Sequence, residues 1–134
     1  MGRILGVDYG DNRIGLALSD PMKIIASPYK TIANKGNLEA LRLIINLKKV
    51  ERIVIGLPLG LKGQETIQTK KTREFSESLE ILNCPIHFED ERLSSISAKK
   101  SLIQQNIKTG HNKSLIDQRA AAIILQQFLD KKCY

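Results

Sequence analysis

The sequence predicts an α/β fold in which a mixed five-stranded sheet carries helices on both faces. Apolar runs at 4–7 and 14–18, separated by a polar turn that contains a glycine, are typical of an antiparallel β-hairpin. Residues 37–50 have the apolar period of a helix, and the short run that follows at 51–59 is apolar on both faces. Such a run is typical of a buried parallel strand, so antiparallel and parallel strands are expected in one sheet.

The first third of the chain predicts a three-stranded meander followed by a helix. A third extended segment, Lys23–Ala33, follows the hairpin and contains Pro28. Because proline cannot donate a hydrogen bond to a neighbouring strand, we expect this segment at the edge of the sheet. Asn37 is a favourable N-cap for a helix that should end near Val50. The predicted inward stripe of this helix comprises Leu38, Leu41, Ile44, Ile45 and Lys48.

The middle of the chain predicts two crossover units. The strand Glu51–Leu59 leads into a loop with prolines and glycines, and a second helix is expected over Thr66–Leu82. A strand then follows at Pro85–Glu91, in which alternate residues point to opposite faces. The predicted stripe of the second helix comprises Ile67, Lys71, Phe75, Leu79 and Leu82.

The last third predicts two helices joined by a basic loop. One helix should run from Ser94 or Ser95 to about Gln105, the loop covers Asn106–Lys113, and the last helix spans Ser114–Lys131. The chain has no internal repeat and no linker, so residues 1–134 are expected to form one domain. The predicted inward face of the last helix comprises Ile116, Ala120, Ile123, Ile124 and Phe128.

The composition is that of a globular protein, with 42% hydrophobic and 26% charged residues. No apolar run approaches the roughly 18 residues that a membrane helix needs. The early charge in the N-terminal segment does not match a signal peptide, so we expect a cytoplasmic protein with no membrane partner. Cys84 and Cys133 are far apart and in no metal-binding spacing, so both are expected as free thiols.

The net charge of +7, from 21 basic and 14 acidic residues, favours a polyanionic partner such as nucleic acid. A generally basic background composition is the alternative explanation. Three Tyr, three Phe and no Trp argue against a base-stacking platform, so contacts to phosphates or to duplex shape fit better. Nothing in the sequence selects between a monomer and a weak dimer.

Three acids stand out by their context. Asp8 ends the first strand, Glu91 ends the last strand directly after Asp90, and Asp117 opens the final helix. If the first and fourth strands pair, their carboxyl ends adjoin, and a helix packed on that end brings Asp117 within reach. Asp90 and Glu91 point to opposite faces, so only one of them can belong to the site, and Asp90 remains the alternative to Glu91. A turn cap at Asp8 and a helix-dipole charge at Asp117 are the structural alternatives.

A group of three carboxylates favours a hard divalent cation. Without a counter-charge the carboxylates repel one another, and Mg²⁺ or Mn²⁺ with oxygen ligands removes that conflict. Two such ions about 3.5–4 Å apart can hold the attacking water and the leaving oxygen of a phosphodiester. The residues therefore favour a metal-dependent phosphodiester hydrolase whose candidate ligands are Asp8, Glu91 or Asp90, and Asp117.

Four segments in this order and spacing resemble the YqgF-type Holliday-junction-resolvase-like family, whose members are also described as pre-16S ribosomal RNA nucleases. The segments are GVDYGDNRIGLALSD, IVIGLPLG, DERLS and IDQRAAAIILQ, and the resemblance covers essentially the whole chain. It implies a ribonuclease H-like fold and a metal-dependent nuclease of the bacterial cytoplasm that matures the 5′ end of pre-16S rRNA. By motif, the acidic residues of the family fall on Asp8, Glu91 and Asp117.

One loop departs from the family pattern. Relatives usually carry an acid before the glycine that follows GLPL and a small hydroxyl residue after it, whereas this chain has Lys62-Gly63-Gln64. The departure removes any role for that acid here and leaves the three predicted acids untouched.

The candidate nucleic-acid contacts are basic residues in loops and at the front of the second helix, together with one small residue near Asp8. Cations there can hold the phosphates that flank the cleaved bond. His111, in the basic loop, and His87, within a strand, are expected to be solvated and structural, respectively. The candidates are Gly10, Lys62, Lys70, Lys71, Arg73, Arg92, Lys108 and Lys113.

Three other functional classes stay open at this point. Holliday-junction or other branched DNA is an alternative substrate to precursor rRNA. The hairpin around Asp8 and Gly10 also resembles the phosphate-binding hairpin of the sugar-kinase, actin and Hsp70 group, although those proteins use two such domains. A non-catalytic RNA-binding assembly factor would be expected to have lost an acid, and all three are present.

Overall fold

The computed structural model describes residues 2–91 and 113–131. Five strands form one sheet in the order β3-β2-β1-β4-β5. β1 pairs antiparallel with β2 and parallel with β4, β2 pairs antiparallel with β3, and β4 pairs parallel with β5. The predicted mixed sheet and the pairing of the first and fourth strands are confirmed. The strands are β1 (Arg3–Tyr9), β2 (Arg13–Ser19), β3 (Ala26–Ala33), β4 (Val50–Leu57) and β5 (Ile86–Asp90).

Helices cover both faces of the sheet. α1 (Asn37–Lys48) and α2 (Ile67–Ser78) contribute to a core on one face, and a 3₁₀ turn at Leu79–Leu82 continues α2. α3 (Lys113–Lys131) packs on the opposite face, against β1, β2, β3 and β4. In the described part of the chain, none of the helices combines the length and the hydropathy needed to cross a bilayer. The helix predicted between Ser94 or Ser95 and Gln105 lies outside the described residues, as do His111, Cys133 and most of the basic loop.

The two faces of the sheet bury different side chains because successive residues of a strand point in opposite directions. On the α1 and α2 face, Leu5, Val7 and Ile53 are fully buried among large aliphatic residues. On the α3 face, Ile4, Ala17 and Val54 pack against one stripe of α3. That stripe comprises Ala121, Ile124, Leu125, Phe128 and Leu129. Of the predicted inward face, Ala120, Ile124 and Phe128 are buried, whereas Ile116 and Ile123 are only partly buried.

Several predicted boundaries differ from the observed ones for local reasons. β3 begins at Ala26 rather than Lys23, because the Asp20 carboxylate accepts hydrogen bonds from the amides of Ile24 and Ile25 and closes a turn. Pro28 lies on the edge strand as predicted, beside an irregularity in the register with β2.

The predicted N-cap Asn37 is wrong, because Asn37 is already the first helical residue and Gly36 is the cap. Gly36 has φ 77°, which favours glycine, and the Asn37 side chain donates to the Asn34 carbonyl instead.

The predicted stripe of α2 is wrong at its first turn. Ile67 and Lys71 are exposed, and the buried side chains there are Thr69 and Thr72. Thr66 is the N-cap and forms a reciprocal capping box with Thr69, whose hydroxyl also donates to the Pro58 carbonyl. The threonines are thus held against the loop that leaves β4, which an apolar period alone does not reveal. Phe75 and Leu79 are buried as predicted.

Candidate functional site

Asp8 lies at the carboxyl end of β1, on the face of the sheet that α3 covers. Ile4 and Gly6 on the same strand pack against α3, whereas Tyr9 stacks on Phe75 of α2 with 4.4 Å between ring centroids. Alternation along β1 therefore directs Asp8 toward α3. Its cross-strand partner in the antiparallel register with β2 is Gly15.

Asp117 lies directly over Gly15. A Cβ atom added at Gly15 would overlap the carbonyl group of Asp117 and would lie 2.8 Å from its Cβ. The absent side chain at Gly15 is what allows the α3 backbone to approach β2 this closely. Because Gly15 pairs with Asp8, the first and third predicted acids are neighbours on one face. α3 starts at Lys113, so Asp117 is its fifth residue. The helix dipole acts most strongly within the first turn, and Asp117 lies beyond that turn.

Glu91 lies over a second glycine, on the other side of Asp8. A Cβ atom added at Gly56 would lie 2.5 Å from Glu91 Oε1 and 2.5 Å from Ile124 Cδ1 of α3. Gly56 follows Ile55, which is paired with Val7, so Gly56 is level with Asp8 on the adjacent strand. Asp8 is therefore flanked by Gly15 and Gly56, each covered by one of the other two acids.

Asp90 points to the opposite face from Glu91. Along β5, Glu89 bonds to α3, and His87 lies 5.3 Å from the Phe128 ring of that helix. The Phe88 ring instead lies 5.5 Å from the Arg73 guanidinium of α2. By the same alternation Asp90 belongs with Phe88 and Glu91 with Glu89, so Glu91 is the one on the face of Asp8.

Arg13 is a residue of the site that the sequence analysis did not single out. Its Nε donates to Asp117 Oδ2 at 2.7 Å, and the two side chains are 44% and 22% exposed. The two residues are 104 positions apart, and nothing in the local pattern of either links them. The RIGLALSD segment carries Arg13 at the start of β2, two residues before Gly15, and that position relative to the glycine is the only sequence signal.

The three acids share a face and an edge of the sheet, but they do not form a ready-made ligand cage. Within residues 2–91 and 113–131, no three side chains of His, Cys, Asp or Glu converge closely enough to hold a metal ion. Asp117 is engaged by Arg13 instead. All three donors are carboxylate oxygens, which suit a hard divalent cation, and the glycines on either side of Asp8 allow Asp117 and Glu91 to lie close to the sheet.

The predicted nucleic-acid residues fall into three groups. Lys62 and Lys70 are exposed in the loop after β4 and on α2. Lys71 Nζ lies 3.4 Å from Asp11 Oδ1 in the hairpin turn beside Gly10, and Arg73 Nε donates to Glu65 Oε1 at 2.9 Å. Arg92 and Lys108 lie outside the described residues, and Lys113 is described only as the first residue of α3.

Glu89 anchors the far end of α3 and was not anticipated as an interaction site. Its side chain is 3% exposed, accepts a hydrogen bond from Gln127 and pairs with Lys131 Nζ at 2.6 Å. A buried carboxylate is tolerated only when it is paired in this way. The contact ties the last turns of α3 to β5 two residues before Glu91, so it helps to fix the helix over the sheet.

A family model described as RuvX, Holliday junction resolvase, matches residues 2–131. Two similar proteins carry the name "Putative pre-16S rRNA nuclease". The one from Maridesulfovibrio salexigens is 43% identical over 131 residues, which are 95% of this chain and 97% of that protein. The one from Clostridium kluyveri is 40% identical over 133 residues, which are 96% of this chain and 97% of that protein.

Among solved structures, RuvC of Thermus thermophilus has the same fold. The chain in its complex with a Holliday junction substrate superposes with a TM-score of 0.59 at 12% identity, covering 98% of this chain and 96% of that one. A second Thermus thermophilus RuvC structure gives a TM-score of 0.55 at 12% identity, with 97% and 95% coverage. At this identity the likeness establishes the ribonuclease H-like fold, and the match of the family model and of the relatives over nearly the whole length shows that the chain belongs to the RuvX family of Holliday-junction-resolvase-like proteins.

Proposed function

We propose that this protein is a divalent-metal-dependent endonuclease that hydrolyses phosphodiester bonds in nucleic acid and acts at the 5′ end of precursor 16S rRNA. Membership of the RuvX family and the names of its relatives support a nuclease of ribosome biogenesis. The observation that carries the proposal is the position of Asp8 between Gly15 and Gly56, over which Asp117 and Glu91 lie.

Asp8, Glu91 and Asp117 would hold the metal, and Mg²⁺ or Mn²⁺ fits an all-carboxylate set. When bound, such ions supply Lewis-acid stabilisation of the developing charge and lower the pKa of water. Asp117 would then exchange its Arg13 partner for the metal. The freed guanidinium, at the start of β2, would suit a backbone phosphate because its planar N–H fork matches phosphate oxygens.

The other residues of the proposed site bind and orient the substrate. Gly10 lies two residues beyond Asp8, where an added Cβ atom would lie 2.6 Å from the Arg13 carbonyl oxygen, and it belongs to the proposed set as a residue next to the substrate. Lys62, Lys70 and Lys71 surround the loop after β4 and the front of α2, at the carboxyl edge of the sheet, and would hold flanking phosphates. Arg92, Lys108 and Lys113 belong to the same proposed set.

Branched DNA is the second candidate substrate, and the description of the matching family as a Holliday junction resolvase favours it. One assay separates the two. The purified protein is incubated with precursor 16S rRNA, with a four-way DNA junction and with matched duplexes, each with Mg²⁺, Mn²⁺ or EDTA. Preferred cleavage of the precursor rRNA supports the proposal. Preferred cleavage of the junction would mean that branched DNA, rather than precursor rRNA, is the substrate.

Asp8→Asn is the decisive variant, because it removes a charge and keeps the side-chain volume. Loss of a residue that hydrogen-bonds a metal ligand commonly lowers metal affinity or activity by about 10- to 100-fold. Loss of a direct ligand should therefore lower the cleavage rate by about a hundredfold or more. The melting temperature should stay close to that of the wild type. Asp90→Asn, one residue from Glu91 on the opposite face, is the matched control and should cleave normally. Cleavage that survives both EDTA and Asp8→Asn would refute a metal-dependent role for this site.

In cells, depletion of the protein should lengthen the 5′ end of 16S rRNA, mapped by primer extension. Rescue by the wild type and failure of rescue by Asp8→Asn would support the proposed reaction. Equal rescue by both would instead identify a non-catalytic assembly factor.

A further inference from the structure

An aromatic side chain is exposed on the edge strand that leads to Glu91. Phe88 of β5 is 38% exposed, whereas its neighbour Glu89 is 3% exposed. Among the described strands, β5 pairs only with β4, so Phe88 lies on a strand at the edge of the described sheet. The Arg73 guanidinium lies over this ring, so a nucleotide base would stack on the other ring face.

A cavity of about 560 Å³ opens beside this ring, between β5 and the end of α2. Pro85 and Ile86 give it an apolar wall, and Glu80 of the 3₁₀ turn and Asn83, which caps that turn, contribute polar groups. This volume lies in the range of roughly 300–1,000 Å³ that is typical of small-molecule sites, so a single base fits easily. The amide and the carboxylate can bond to the polar edge of a base, which is how unstacked bases are usually read.

The charges on the adjacent helix suit the phosphates on either side of such a base. The Arg73 guanidinium lies 5.5 Å from the Phe88 ring centroid, and Lys70 is one turn earlier on α2. Arg73 uses its Nε–H group on Glu65, and a guanidinium has four more N–H donors with which to contact a phosphate. Among the described residues that line the cavity, Glu80 is the acid, so the phosphates are expected on the Arg73 side and the base edge toward Glu80.

The position of Phe88 relative to the proposed active site indicates which part of a bound nucleic acid could reach its ring. Phe88 precedes Glu91 by three residues, which is about 10 Å along a strand. By alternation the two side chains point to opposite faces of the sheet, so a nucleic-acid chain leaving Glu91 would pass around the β5 edge of the described sheet to reach Phe88. A single strand with an unstacked base has the flexibility for that turn.

We propose that Phe88, with Arg73 and Lys70, is a subsite for one unstacked base of a single-stranded segment next to the cleaved bond. This inference rests on the proposed nuclease function and specifies the form of its substrate. The composition argued against an extended stacking platform, and the subsite requires only one ring.

The absence of tryptophan from the chain allows a direct test. Phe88→Trp is combined with Asp8→Asn, so that bound RNA is not cut, and emission is recorded while a 10-nucleotide single-stranded RNA is titrated. Leu47→Trp, at a 72% exposed position on α1, is the control for non-specific quenching. Quenching that saturates for Phe88→Trp and is absent for Leu47→Trp supports the subsite, and equal responses overturn it.

Affinity gives the second readout. Loss of one base–aromatic stack weakens binding by about 5- to 150-fold, so Phe88→Leu should weaken binding of single-stranded RNA within that range while Phe88→Tyr retains it. Single-stranded DNA should respond in the same way, and a blunt RNA duplex should show no difference between Phe88→Leu and the parent. If single-stranded RNA binds equally well to the parent and to Phe88→Leu, the subsite is wrong and the nuclease proposal stands. If the parent binds neither RNA nor DNA, both fail.

Discussion

The two faces of the sheet use the same strands in different ways. On the face of α1 and α2, the strands present large aliphatic side chains such as Leu5, Val7 and Ile55, all fully buried. On the face of α3, the same strands present Gly6, Gly15 and Gly56. On the first face, large buried side chains stabilise the fold. On the second face, the glycines lack side chains, so the α3 backbone can approach β1, which carries Asp8, and its two neighbouring strands.

The close approach is distributed along α3 rather than confined to one point. A Cβ atom at Gly6 would lie 2.7 Å from the Leu125 Cβ and 2.9 Å from the Ala121 carbonyl oxygen. Together with the contacts at Gly15 and Gly56, this fixes α3 over three successive strands. The difference teaches that the large residues hold the fold together, whereas the glycines set the distance between the acids.

The largest effect on stability is therefore expected from the α1 and α2 face. Leu5→Ala removes a fully buried side chain and leaves a cavity, which should lower the free energy of unfolding by about 2–5 kcal/mol. Urea denaturation measures that loss. Cleavage per folded molecule, measured well below the melting temperature, should be nearly unchanged because Leu5 points away from the acids. A loss of cleavage as large as that of Asp8→Asn would show that the two faces are not separable.

Gly15→Ala should damage both properties, and its effect on stability should be smaller than that of Leu5→Ala. The added methyl overlaps the Asp117 backbone, which cannot move without shifting α3, and overpacking of this kind costs about 1–3 kcal/mol. Cleavage should fall as well, since Asp117 and Arg13 move with the helix. Gly36→Ala is the comparison, because its left-handed φ of 77° disfavours alanine but nothing lies within 4 Å of the new methyl. Gly36→Ala should therefore reduce stability without reducing cleavage.

Local patterns predicted the sheet and the position of the three acids along it. Alternation within β5 separates Asp90 from Glu91, and the glycine-bearing hairpin puts Asp8 at a strand end, because both depend on neighbouring residues only. The ion pair between Arg13 and Asp117 joins residues 104 positions apart. Which residue of α3 lies beside Arg13 depends on the position of the helix along β2, and local sequence patterns do not encode that position. The exposure of Phe88 likewise depends on which strand ends the sheet. The cap at Gly36 was missed because a positive φ, rather than a side-chain hydrogen bond, ends the preceding turn.

The smallest effect should come from an acid at the opposite end of the sheet. Asp20 follows β2 and accepts hydrogen bonds at 2.8 Å from the backbone amides of Ile25 and Ile24, which lower its pKa from the ordinary value of 3.8. This acid has backbone partners and shapes a turn, in contrast to the acids that lie beside bare glycines. Asp20→Asn should therefore leave cleavage unchanged and reduce stability slightly.

The pH dependence of that reduction identifies its origin. Because the pKa of Asp20 is lower in the folded state than in the unfolded state, its stabilising contribution is fully present above pH 3.8 and declines as the pH falls through the lowered pKa. The difference in unfolding free energy between the wild type and Asp20→Asn should be constant from pH 7 to 5 and should shrink on further acidification. Urea denaturation at each pH measures this difference. Glu39→Gln, which removes an exposed charge on α1, controls for the general loss of one negative charge. If the difference for Asp20→Asn persists unchanged at the lowest accessible pH, the turn depends on the shape of the side chain and not on its charge. The contrast between Asp20 and the acids beside the glycines would then be one of packing alone.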